Sequence, residues 1–192
     1  MPSPITITTR VPLPPHLAPE TVLQALHAFE PLITANPYVV GYERRAVPVS
    51  DLVGDLFFRD DGRSLRAFTV HDRVPVIPGV AWATKAVTVP CVFQSFDRGV
   101  RCRADAQAGV TVRSSYEVRR RGEVPHDDDA ADVAAAAVDP GAAQGFELLE
   151  IAQIECGTLV KAFVKRSFAS AHQEILQRLV DQLVLGGVGR WA

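Results

Sequence analysis

From Val100 to Arg119 the side chains alternate in character with a period of two. Val100, Cys102, Ala104 and Ala106 fall on one side, and Arg101, Arg103, Asp105 and Gln107 on the other. After Gly109, the residues Val110, Val112, Ser114, Tyr116 and Val118 oppose Thr111, Arg113, Ser115, Glu117 and Arg119. Successive residues of a strand point to opposite faces, so this pattern specifies two antiparallel strands with one covered face and one wet face. Another part of the chain has to supply the cover.

The remaining segments show where it comes from. "ITITTRVPL" (5–13) alternates and is rich in β-branched residues, which predicts a first strand. Pro19 and Glu20 then open a helical pattern carried by Val22, Leu23, Leu26 and Phe29. Pro31 interrupts it, giving two short helices or one bent helix that ends at Asn36–Pro37. Strands are expected at 38–47, at 65–76 after the turn signal 59–64, at 85–96, and at 100–107 beyond the hairpin turn 97–99. Further strands follow at 110–122 and 146–156. The stretch 122–145 is acidic and then alanine-rich with no large hydrophobe, and reads as a mobile low-complexity loop. His126 beside Asp127–Asp129 could suggest a metal site, but the setting favours a solvated loop. A helix from about 158 to 185 closes the single domain, 1–192.

Bulk properties narrow the partners. The 192 residues are 47% hydrophobic and 22% charged, with a net charge of −2, which is globular composition with no attraction for nucleic acid or an anionic membrane surface. The short basic runs Arg44–Arg45 and Arg119–Arg121 read as solvated strand ends. No apolar run approaches the ~20 residues that span a bilayer, so stable membrane insertion is not expected. The beginning of the chain lacks the basic and apolar regions of a secretory signal. Cys91, Cys102 and Cys156 have no metal-ligand spacing and read as buried thiols of a cytoplasmic protein.

A twisted antiparallel sheet of six or seven strands curls, and its concave face needs a lid. Only the terminal helix is long enough: at ~1.5 Å per residue it reaches roughly 40 Å. The expected class is therefore α+β, a curved sheet wrapped around a long C-terminal helix, with two short helices after the first strand. This layout, with "GTLVKAFVKRSFASAHQEILQRL" following a strand, resembles the helix-grip superfamily of START lipid-transfer domains, birch-pollen-allergen-like proteins and polyketide cyclases. "VPLPPHLAPETVLQALHAFEPLI", "RDDGRSLRAFTVHDRVPV" and "PCVFQSFDRGVRCRADAQAGVTVRSSYEVRR" are similar to an uncharacterised fungal family of that fold. The resemblance implies a cavity for an apolar small molecule and no universal catalytic motif.

Chemistry is expected where polar groups share the inner faces. On an ideal helix, Phe168, Ala171, Ile175, Leu176, Leu179, Val180 and Leu183 form one broad face, with Glu174, Gln177 and Asp181 opposite. His172 sits within the apolar face, with Lys161 and Lys165 on the same stripe nearer the start. His172 is either a core histidine bonded to a backbone carbonyl or an acid–base group; the lysines either snorkel to the rim or enter the pocket. On the last strand Glu150 shares a face with Phe146, Leu148, Ala152, Ile154 and Cys156, and is either a proton carrier or paired with Lys161, Lys165 or Arg44. Tyr116 and Ser114 face inward. His71 and Asp72 lie on opposite faces, and either can reach inward singly.

The candidate catalytic set is thus His172, Glu150, Tyr116 and Lys161. Ser114, Val112, Cys102, Leu148, Phe168, Ile175 and Lys165 are candidate ligand contacts. No Gly-rich phosphate loop, metal spacing or Ser-His-Asp motif is present, so no cofactor or metal is expected. Two functions fit: a cofactor-independent cyclase, dehydratase or isomerase of a polyketide-like or other lipophilic metabolite, or a non-catalytic carrier of such a molecule. The oligomeric state stays open.

Overall fold

The computed structural model describes residues 4–49, 55–59, 65–75, 84–123 and 145–186. Strand β1 (Ile5–Pro12) leads into helices α1 (Pro19–Ala28) and α2 (Glu30–Ala35). Strands β2 (Val39–Arg45), β3 (Leu65–Pro75), β4 (Thr84–Phe96), β5 (Gly99–Ala106), β6 (Val110–Arg120) and β7 (Phe146–Glu155) follow, and helix α3 (Thr158–Gly186) comes last. One antiparallel sheet takes the order β1-β7-β6-β5-β4-β3-β2. This is the expected α+β helix-grip architecture. Most of the expected low-complexity loop, and most of the turn at 59–64, lie outside the described residues.

The helix pair breaks one residue earlier than its proline suggests. Phe29 adopts φ 69°, its N–H donates to Leu26 O at 3.1 Å, and Pro31 sits in the first turn of α2. A proline there sacrifices no helical hydrogen bond. The left-handed backbone at a bulky residue is held by packing: Phe29 is buried, and its ring lies 5.4 Å from Phe93 and 6.4 Å from Phe68. Helix α1 is pinned to the β4–β5 hairpin by His27, whose Nε2–H donates to the carbonyls of Phe96 (2.8 Å) and Gly99 (3.1 Å). At Gly99 a side chain is excluded, because a Cβ there would overlap the Tyr116 carbonyl.

Helix α3 contributes Leu176, Leu179, Val180 and Leu183 to the main core, together with the apolar faces of α1 and α2. Glu174, Gln177 and Asp181 are exposed, as the helical stripe requires. A second, smaller cluster joins Ile5, Ile154 and Cys156 to Val112, Val164 and Phe168, nearer the start of α3.

The outer face of the sheet corrects the sequence reading. It is not wet along β5, β6 and β7: Arg101, Arg103, Ser115, Glu117, Arg119 and Glu147 are all buried. Residues 55–59 cover part of it. Arg103 donates to Asp55 (2.8 Å) and to Asp105 (3.1 Å), and its guanidinium lies 5.9 Å from the Phe58 ring centre. Arg113 meets Asp55 at 3.4 Å and Glu155 at 2.8 Å. The Arg59 amide donates to Gln94 Oε1 at 2.9 Å, and Gln94 Nε2 donates back to Arg59 O. Arg119, expected at a solvated strand end, instead donates to Glu147 at 2.9 Å beneath the surface. Charged residues are buried this way only when paired.

Burial alone would raise the Asp55 carboxyl. The Arg103 hydrogen bond, the Phe57 amide and the charges of Arg113 and Arg103 outweigh it and hold the group below its ordinary value. A depressed folded pKa stabilises the protein above the unfolded value, and that contribution disappears as pH falls through the folded one. Asp55→Ala is therefore expected to cost about 2 kcal/mol at pH 7. In urea titrations at pH 7 and near pH 3, the gap between variant and wild type should shrink at the acid pH.

Candidate functional site

Between the inner face of the sheet, α2 and α3 lies a cavity of about 190 Å³. Helix α2 gives Leu32 and Ile33 to its wall, the sheet gives Val39, Val70, Val89, Cys91, Phe93, Cys102, Ala104 and Tyr116, and α3 gives His172 and Ile175. Asn36 and Asp72 line it as well. Among the described residues no lysine or arginine lines it.

The chemical centre is assembled from three elements. Glu150 on β7 is opposite Tyr116 on β6 and is wholly excluded from solvent. Its Oε1 accepts from the Ser114 hydroxyl at 2.8 Å and from His172 Nδ1 at 2.7 Å. A carboxylate only accepts, so Nδ1 carries the proton and Nε2 is the nitrogen left for a ligand. The imidazole is fixed from its flat side by Phe168, with ring centres 3.6 Å apart and planes 17° from parallel. Glu150 Oε2 is buried with no hydrogen-bond partner among the described residues.

Tyr116 is the adjacent proton donor. Burial, then the charges of Glu150 and Cys102, push its phenol well above the ordinary value of 10, so the O–H is retained at neutral pH. The Cys102 thiol is raised well above 9 by its hydrogen bond with Cys91 and by burial. Both cysteines are free and buried. A thiol raised in this way is inert wall material rather than a nucleophile.

A second polar group lies across the cavity. Burial raises the Asp72 carboxyl, against the opposing pull of the Asn36 side chain and the His71 charge. The Asn36 Oδ1 accepts from the Tyr38 amide at 3.0 Å, which leaves its NH₂ for Asp72. Asp72 Oδ1 is buried with no hydrogen-bond partner among the described residues. A carboxyl raised on folding favours the folded state most when protonated, so this residue's contribution declines as pH climbs through its folded value. Asp72→Asn removes the unfavourable charge and is expected to add about 1 kcal/mol at pH 7, roughly 2–4 °C in Tm for a chain of this size. Melting curves across pH 4 to 7 should show a flatter dependence in the variant.

Of the residues singled out in the sequence, the structure brings His172, Glu150, Tyr116 and Ser114 together, and His172, Tyr116, Cys102 and Ile175 line the cavity. Leu148 lies in the main core, and Val112 and Phe168 in the smaller cluster. Lys161 is half-buried and does not line the cavity; the side chain of Lys165 lies outside the described residues. Glu150 does not pair with Arg44, which is exposed on β2, and its partner is the histidine. His172 correspondingly meets this carboxylate rather than a backbone carbonyl. Cys91 and Asn36 were missed. Cys91 shares its strand face with Phe93, a parity that points inward; Asn36 ends α2, where no periodicity marks a direction.

Two other depressions carry less chemistry. One of about 220 Å³ is lined by Leu23, Val118, Phe146 and charged strand ends, and one of about 600 Å³ by prolines 14, 15 and 19 with Arg121 and Gly145. Among the described residues no group of three or more His, Cys, Asp or Glu side chains is placed to hold a metal ion. None of the described helices is long and apolar enough to cross a membrane.

Residues 2–185 match a family model described as "Domain of unknown function (DUF7053)", and the chain belongs to that family. No match is found among curated proteins. Among solved structures, TTHA0849 from Thermus thermophilus is 12% identical over 96% of this chain and 99% of its own, with a TM-score of 0.55. Ara h 8.0201 is 12% identical over 93% of this chain and 99% of its own, with a TM-score of 0.49. The likeness to TTHA0849 is one of fold.

Proposed function

We propose that this DUF7053 chain is a cofactor-independent enzyme that moves a proton on a small lipophilic molecule enclosed between the sheet and α3. The observation that carries the reading is His172, held at Nδ1 by a fully buried carboxylate and lining the cavity. A base oriented by a third group is the arrangement that general acid–base sites use. In this reading His172 Nε2 takes the proton, Glu150 fixes the ring and stabilises the imidazolium, and the Tyr116 O–H donates to the oxygen on which charge develops. Cyclisation, dehydration and isomerisation are the reactions such a set serves. Lys161, away from the cavity wall, has no part in it.

Size restricts the substrate. A cavity of about 150 Å³ accepts benzene, so one of about 190 Å³ suits one or two rings rather than an extended chain. A polyketide-like substrate would be a short one. Three free buried thiols support a reducing, cytoplasmic setting. The apolar majority of the lining also suits a carrier that orients its ligand without changing it.

Native mass spectrometry of protein purified from its own organism, followed by incubation of the captured molecule with three chains, separates these. The wild type should convert it, Tyr116→Phe should bind it and convert it slowly, and the H172A/E150A double variant should bind it without conversion. Return of the molecule unchanged by the wild type would leave the carrier reading in place of the enzyme.

A further inference from the structure

We infer that the cavity is built for a small organic cation, a ring-bearing amine whose ammonium group meets Asp72 while its ring lies toward Tyr116 and His172. The inference deepens the cavity reading above and depends on it.

The first ground is the valence of Asp72. Its Oδ1 is buried with no hydrogen-bond partner among the described residues, so the neighbouring Asn36 side chain does not satisfy it. An unpartnered buried acceptor carries a standing cost that a ligand N–H removes. The neighbouring His71 does not remove it. Its ring faces Glu43 (3.7 Å) and Thr88 (3.4 Å), on the other side of the strand.

The second ground is charge. Asp72 lines the cavity and Glu150 stands directly behind His172, while no lysine or arginine among the described residues lines the wall. Among the described residues the imidazole is the one basic group on that wall, and it is already committed to Glu150. An anionic ligand would meet two carboxyl groups in a site of low dielectric, and a cation would be drawn in by both. The third ground is aromatic. The rings of Phe93 and Tyr116 line the same space and suit the ligand's own ring. A ligand hydroxyl would satisfy Oδ1 but would not use the charge.

Calorimetric titration at neutral pH with three probes of one ring size tests this: phenethylamine, ethylbenzene and phenylpropionate. The wild type should bind the amine roughly tenfold or more tightly than the acid. Asp72→Asn should weaken amine binding about tenfold and leave ethylbenzene binding within about twofold. If ethylbenzene binds but the amine binds wild type and Asp72→Asn equally, the cation assignment is wrong and the cavity reading survives. If neither ethylbenzene nor the amine binds the wild type, both are overturned.

Discussion

Replacing His172 with alanine should lower the unfolding free energy by about 3 kcal/mol, the cost of leaving a buried carboxylate without the N–H that it accepts. The reason lies on the other side of the contact. Glu150 is fully buried and would lose the nitrogen that shares its Oε1 with the Ser114 hydroxyl, with Oε2 still unpartnered among the described residues. Removing both partners is expected to be milder than removing one, because an apolar pair leaves no stranded carboxyl. H172L/E150L should therefore be more stable than His172→Ala, and a urea double-mutant cycle measures the difference. A loss below about 1 kcal/mol for His172→Ala would show that the imidazole does not hold the carboxylate in the folded protein. On the proposed substrate, the same substitution should reduce turnover by about 10²–10⁴-fold, the usual worth of positioned proton transfer.

Gly99→Ala should be nearly as damaging, at about 3 kcal/mol, because the clash is with backbone. The added Cβ overlaps the Tyr116 carbonyl, which cannot swing aside without moving a strand, and also crowds the Phe96 ring. Gly99 pairs with Glu117, and its carbonyl also receives the His27 bond that anchors α1. Displacing it should thus shift Tyr116 within the cavity and loosen the helix pair at once. Gly41→Ala is the control, since nothing lies within 4 Å of a Cβ at that position. Thermal melts with ligand titration should show a large loss in both for Gly99→Ala and little change for Gly41→Ala. Equal behaviour of the two would refute the close approach.

The architecture was legible because two periodicities are clean. Alternation through β5 and β6 fixed which residues share a face, and the stripe on α3 identified Leu176, Leu179 and Leu183 as core. What alternation does not specify is what covers a face. Arg103 and Arg119 read as wet until residues 55–59 and Glu147 are placed over and beside them, and those partners have no period of their own. The site was legible in the same uneven way. Parity put Glu150 and Tyr116 inside, and helical spacing put His172 inside. Their contact depends on the angle at which α3 crosses the sheet after Gly157, and local sequence does not encode that angle. Alternation separated His71 from Asp72 without saying which faces inward, and the place of Asp72 beside Asn36 required the fold.

The order of the sheet has a kinetic consequence. Strand β1 has β7 as its sheet partner, with Ile5 opposite Ile154, so the earliest strand waits for the latest one before it can pair. Pairings so distant along the chain are slow to close and leave an unsatisfied strand exposed meanwhile. During synthesis, β2 through β6 can zip as consecutive hairpins well before this happens. Glu150 and His172 emerge from the ribosome after all of them, so a stalled nascent chain would hold the cradle without its proton-handling pair.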